Sequence, residues 1–140
     1  MFSKSNLLAT LATTVVMFVL GYVLWGMLAE SMMDGHVLTN VMKDQPDFIF
    51  IALGNLISAF ALCNLYRKWA RGHHSAKEGA EFGAWVGVFV GLGSGLVWYA
   101  TSTLMDLTGH LMDFVLYLVF FVVSGIVISL VYKATSEKAS

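Results

Sequence analysis

Four stretches of the chain run without a single charged residue: 7–29, 48–66, 82–105 and 114–132. Each is close to the roughly 20 residues that cross a bilayer as helix. None carries the polar stripe of a soluble amphipathic helix. The pattern predicts an all-α fold, a four-transmembrane-helix bundle forming one integral membrane domain over residues 1–140. The first run is too long for the apolar region of a signal peptide. No small-residue cleavage site follows it before Glu30 and Asp34, so it is expected to remain as the first span.

The polar segments between the runs set the orientation. Lys4, Arg67, Lys68, Arg71, Lys77, Lys133 and Lys138 fall at the N-terminus, in the middle loop or at the C-terminus, and only Lys43 lies on the other side. Basic residues in short segments stay cytoplasmic, so both termini and the loop "RKWARGHHSAKEGAE" are expected inside. Aromatic residues agree, with Tyr66, Trp69, Phe82, Trp85 and Tyr132 placed at the inner interface and Trp25, Trp98 and Tyr99 at the outer one. The longer external connection, residues 30–47, contains the one proline. Pro46 fits the start of the second helix, with Asp44 or Gln45 before it as cap. "DLTGHLMD" reads as a tight turn between the third and fourth helices, and "KATSEKAS" as a polar, frayed tail. "WGMLAESMMDGH" resembles "WYATSTLMDLTGH", and "ISAFALCNLYRK" resembles "VSGIVISLVYKA". These pairs suggest two tandem helical hairpins in parallel repeat.

Composition sharpens the class. Hydrophobic residues are 58% and charged residues 12% of the chain, against about a quarter charged in a soluble domain. Mean hydropathy is +0.75. The net charge of −1 conceals a basic inner face, suited to anionic headgroups, and an acidic outer one. The single cysteine, Cys63, forms no intrachain disulfide and reads as a small apolar packing residue. "GLGSG" lies inside an apolar helix with no strand before it, so it is not a phosphate loop, and no nucleic-acid partner is expected.

In "GAEFGAWVGVFVGLGSG", glycines stand at 79, 83, 87, 91 and 95, each advanced by about 400° on a helix. Gly79, Gly83, Gly87, Gly91 and Gly95 therefore trace a slowly winding groove in which a neighbouring backbone can lie. In lipid that close approach gains dispersion contacts and weak Cα–H···O contacts. One partner is a helix of the same chain, with Ala59, Ser124 and Gly125 as small residues able to face the groove. The other is an identical helix in a second copy, or a partner subunit. The pattern leaves both open.

No charge-free run contains an ionisable carboxylate, which counts against a proton- or sodium-coupled transporter of that design. It also separates the chain from the small multidrug resistance transporters, whose essential glutamate lies in the first helix where this chain has "ATTVV". Thr13, Thr14, Asn55, Ser58, Asn64, Ser94, Ser124 and Ser129 are the remaining polar residues, and Asn55 is expected to act as structural glue. Chemical character concentrates outside: Glu30, Asp34, His36, Asp106, His110 and Asp113 cluster there with Met27, Met32, Met33, Met42, Met105 and Met112. A continuing helical turn would put Asp106, His110 and Asp113 on one side. His36, Asp106, His110 and Asp113 are therefore candidate metal ligands, set against the plainer reading of a hydrated acidic rim. Inside, His73 and His74 are adjacent, a poor arrangement for chelating one ion.

"LGYVLWGML" in the first helix and "EFGAWVGVFVG" in the third give the chain its family likeness. It resembles a group of small bacterial four-span inner-membrane proteins of unknown function. That resemblance implies a multi-pass bacterial inner-membrane protein with both termini inside, and it implies no chemistry. With no nucleophile–base pair in sight, the expectation is a non-enzymatic membrane component without cofactor. It acts through helix packing, as a homo-oligomer or an accessory subunit, in contact with lipid. The alternative is a small transporter or channel for an uncharged or metal substrate.

Overall fold

Helix starts in this chain are marked by side chains that satisfy the first free backbone N–H groups. In the computed structural model, which describes residues 1–139, Ser3 accepts from the N–H of Asn6, Asp47 from those of Ile49 and Phe50, and Ser75 from that of Glu78. They open α1 (Lys4–Met32), α2 (Phe48–Ala70) and α3 (Ala76–Thr101). Asp106 does the same for α4 (Leu107–Ala139), its carboxylate accepting from the N–H of Gly109 at 2.7 Å. All four helices are long and apolar enough to cross a membrane.

These bounds correct the charge-free runs in physically interpretable ways. α2 continues past 66 to Ala70, placing Arg67 and Lys68 in its last turn, where cations complement the helix dipole. It ends with Arg71 and Gly72 in the left-handed region. At its start the cap is Asp47 rather than Asp44 or Gln45, so Pro46 lies outside the helix. α3 stops at Thr101 instead of 105, because residues 102–106 leave the helix to pair with the loop after α1. There the N–H of Leu38 donates to the carbonyl of Leu104 at 2.8 Å, and that of Asp106 to the carbonyl of His36 at 3.0 Å. This two-stranded contact joins both connections at the acidic end of the bundle. The opposite, basic end carries the N-terminus and the α2–α3 loop.

α4 is the central element, packed along α3 on one side and α1 on the other, while α1 also packs on α2. α2 and α3 meet chiefly at the basic end, where Phe82 touches Tyr66 and Trp69 at ring separations of 5.5 and 6.1 Å. A strict hairpin repeat would make the α2–α3 contact equivalent to the α1–α4 one. The two are unequal, so the duplicated look of the sequence is not matched by a symmetric bundle.

The α3–α4 interface answers the question raised by the glycines. A Cβ on Gly79 would lie 2.3 Å from the carbonyl oxygen of Gly125, and one on Gly83 would lie 2.0 Å from that of Phe121. On Gly87 and Gly91 it would meet Leu118 at 3.0 Å and Tyr117 at 2.8 Å. These four glycines hold α4 of the same chain at backbone contact, the close approach that small residues permit in lipid. Gly95 is the exception: nothing lies within 4 Å of its Cβ position, and it lines a cavity instead.

The glycines should therefore differ sharply in tolerance. Gly83→Ala forces the helices apart and is expected to cost about 1–3 kcal/mol, as overpacking does. Gly95→Ala is expected to be neutral or to stabilise by up to about 1 kcal/mol through helix propensity. Unfolding of the two variants in mixed detergent, followed by circular dichroism, checks the contrast.

Candidate functional site

Two helices depart from α geometry, each for about one turn: Leu24–Leu28 in α1 and Val88–Gly93 in α3 are π-helical. The N–H of Ala29 returns to the carbonyl of Leu24, and that of Ser94 to the carbonyl of Phe89. Such turns recur at functional sites because they re-aim the side chains that follow. Here both lie toward the acidic end. The turn in α1 accompanies a buried Leu24 and an inward Trp25, whose ring packs on Tyr117 at 4.8 Å and on Phe120 at 5.3 Å. Trp25 Nε1 donates to Asp113 Oδ1 at 2.7 Å. The polar edge of Trp25, expected near the outer interface, thus serves a carboxylate of the bundle at the acidic end.

The turn in α3 borders a cavity of about 230 Å³. Gly91, Ser94, Gly95 and Trp98 line it from α3, and His110, Asp113 and Tyr117 from α4, with Leu104 and Met105 closing it from the turn. His110 is 5% exposed, and its Nε2 has no hydrogen-bond partner. The ring of Tyr99 stands edge-on to His110 at 6.0 Å.

The four residues expected as metal ligands divide into two pairs. His36 Nδ1 lies 2.9 Å from Asp106 Oδ2 and 3.1 Å from Oδ1, the one ion pair among the described residues. His110 and Asp113 face the cavity, while the carboxylate of Asp106 is engaged by His36 and the Gly109 N–H. The expected single side of Asp106, His110 and Asp113 fails because Asp106 is the cap of α4, not a residue inside its first turn. Among the described residues, no group of three His, Cys, Asp or Glu side chains is placed to hold a metal ion.

A second polar cluster, at the basic end, was less legible. Asn6, Thr13, Cys63, Tyr66, Ser124 and Ser129 are fully buried between α1, α2 and α4. Thr10 Oγ1 donates to Asn6 Oδ1 at 3.3 Å, while Asn6 Nδ2 and Thr13 Oγ1 have no partner. The hydroxyl of Tyr66 lies 3.1 Å from His74 Nδ1, and the His74 ring stacks on Tyr132 at 5.3 Å. Ser129 Oγ donates to the carbonyl of Ser75, tying α4 to the start of α3. Burial, and secondarily the neighbouring His73, keep the His74 pKa below its ordinary value. The i, i+4, i+7 spacing of Asn6, Thr10 and Thr13 is the helical signal that could have revealed one polar face.

No protein-family model, curated protein or solved structure matches this chain.

The Asp106 carboxyl is held below the usual carboxylate range, first by the hydrogen bond to His36 and then by the Gly109 N–H. A lowered folded-state pKa gives stability that is complete above the unfolded value near 3.9 and lost as pH falls through the folded one. Thermal midpoints measured from pH 7 to pH 3 should fall more steeply for the wild type than for Asp106→Asn, which keeps a cap but has no charge to lose.

Proposed function

We propose that this chain is a non-enzymatic component of the bacterial inner membrane that acts through helix packing as a homo-oligomer, with α2 as its contact surface. The observation that carries this reading is the acidic-end half of α2. From residue 48 to residue 58, every position is exposed except Asn55, which is half-buried. Ile49, for example, is 80% exposed. The stretch holds Gly54, Asn55 and Ser58, so polar groups and a close-approach position share a helix that the rest of the chain leaves uncovered there.

In hydrocarbon an amide needs partners, and an interhelical hydrogen bond contributes roughly 1–2 kcal/mol in model helices. A second copy related by a two-fold axis brings Asn55 opposite Asn55, each able to donate and accept. The glycine groove of α3 is filled by α4 of the same chain, so association by this route does not compete with folding. Both termini and the basic loop are read as cytoplasmic from the distribution of lysine and arginine.

Cysteine cross-linking in native membranes tests this. In a Cys63→Ala background, Gly54→Cys should give a covalent dimer of the chain, and Val15→Cys on the exposed face of α1 should not. Asn55→Leu should weaken the dimer by about tenfold, the equivalent of 1.4 kcal/mol. A monomer from both cysteine variants overturns the reading. A Gly54→Cys adduct with a different protein also overturns self-association, and assigns the face to another membrane subunit.

A further inference from the structure

The acidic-end cavity carries a ligand preference that bundle packing does not explain. Its wall holds a carboxylate, Asp113, half-buried and supported by the Trp25 N–H on one oxygen. No lysine or arginine lines the cavity among the described residues. Beside it the ring of His110, 95% buried, forms part of the wall. Trp98 and Tyr117 add aromatic rings. At Gly95 the absence of a side chain leaves the space open.

Each ligand class can be set against that wall. An anion meets the negative charge of Asp113. An uncharged apolar molecule leaves the carboxylate oxygen that Trp25 does not serve without a partner, a costly state for a buried polar group. A metal ion finds two candidate ligands where it usually takes more. A protonated amine suits the wall better. Its charge complements the carboxylate, an N–H reaches the oxygen that Trp25 leaves free, and aromatic faces attract its cationic head.

We infer that this cavity binds the ammonium head of a small organic amine, with Asp113 as both counter-ion and hydrogen-bond acceptor. A volume of about 230 Å³ accommodates a small organic ammonium group. Two sources present this chemistry at a membrane surface: a free amine, and the headgroup of phosphatidylethanolamine.

The full chain in phosphatidylglycerol nanodiscs, titrated with n-butylammonium chloride at constant ionic strength, tests the site. Trp98 lines it and Trp25 holds its carboxylate, so intrinsic fluorescence reports binding. A saturable change is expected, at least tenfold tighter than for n-pentanol, which matches the amine in size and lacks the charge. Asp113→Asn should weaken amine binding tenfold or more. Gly95→Leu should abolish it by filling the open space while leaving the carboxylate in place. Should Asp113→Asn lose its helical circular dichroism, Gly95→Leu decides the matter. Equal affinity for amine and alcohol, or wild-type amine binding by Gly95→Leu, overturns the inference. Repeating the titration with phosphatidylethanolamine in the nanodisc identifies the source. Weakened amine binding means the lipid headgroup competes for the cavity, and unchanged binding means that the occupant is a free amine.

Discussion

Backbone contact between α3 and α4 is the constraint on which the rest of the bundle depends. Gly79 faces Gly125, and Gly83 lies against the carbonyl of Phe121, so the two helices are separated by little more than their own main chains. Without a hydrophobic force between helices in lipid, such proximity is what gives dispersion its reach. It also sets the place of every other helix. α4 turns its remaining faces to α1, and α2 joins the bundle chiefly through α1, with Tyr66 meeting Phe82 of α3 and Tyr132 of α4. Beyond Gly91 backbone contact gives way to side-chain contact, and the cavity opens between the two helices.

The interior inverts the arrangement of a soluble protein. Buried positions of α1 include Asn6, Thr10 and Thr13, while Leu11, Val15 and Val19 on the same helix face outward. Two polar regions result, one at each end, and between them lie Met17, Leu116 and Phe120. Apolar side chains gain nothing from leaving lipid, whereas polar groups gain hydrogen bonds by leaving it. Burial of the polar face follows from that asymmetry.

Much of this was legible in the residue pattern, for identifiable reasons. Charge-free runs announce spans because a charge in hydrocarbon is costly. Helix and apolar run do not end together, as at Arg67 and Lys68, which remain helical beyond the run. The end of α3 was misplaced because residues 102–106 pair with a loop distant in sequence. The partner of the glycine groove was undecidable from spacing, since small residues on another helix or on another copy satisfy it equally. The partner of Trp25 was not legible, because nothing local reveals that its indole meets a carboxylate 88 positions away. Asn55 invited an intramolecular role by its depth in the second run, and it is the one position of 48–58 that the chain partly covers.

The π-turn in α3 has a genetic side as well as a geometric one. A π-turn is in effect an α-helix that has accepted one extra residue, and in this chain the glycine interval shortens from four to two there, at Gly91, Gly93 and Gly95. Losing a single codon within 88–93 would restore α geometry and rotate all that follows by about 100°. Trp98 and Ser94 would swing away from the cavity, while Gly79, Gly83 and Gly87 kept their hold on α4. The part of the cavity wall contributed after the π-turn and the seam from Gly79 to Gly87 therefore lie on opposite sides of it, so a one-residue deletion there would change the first and leave the second in place.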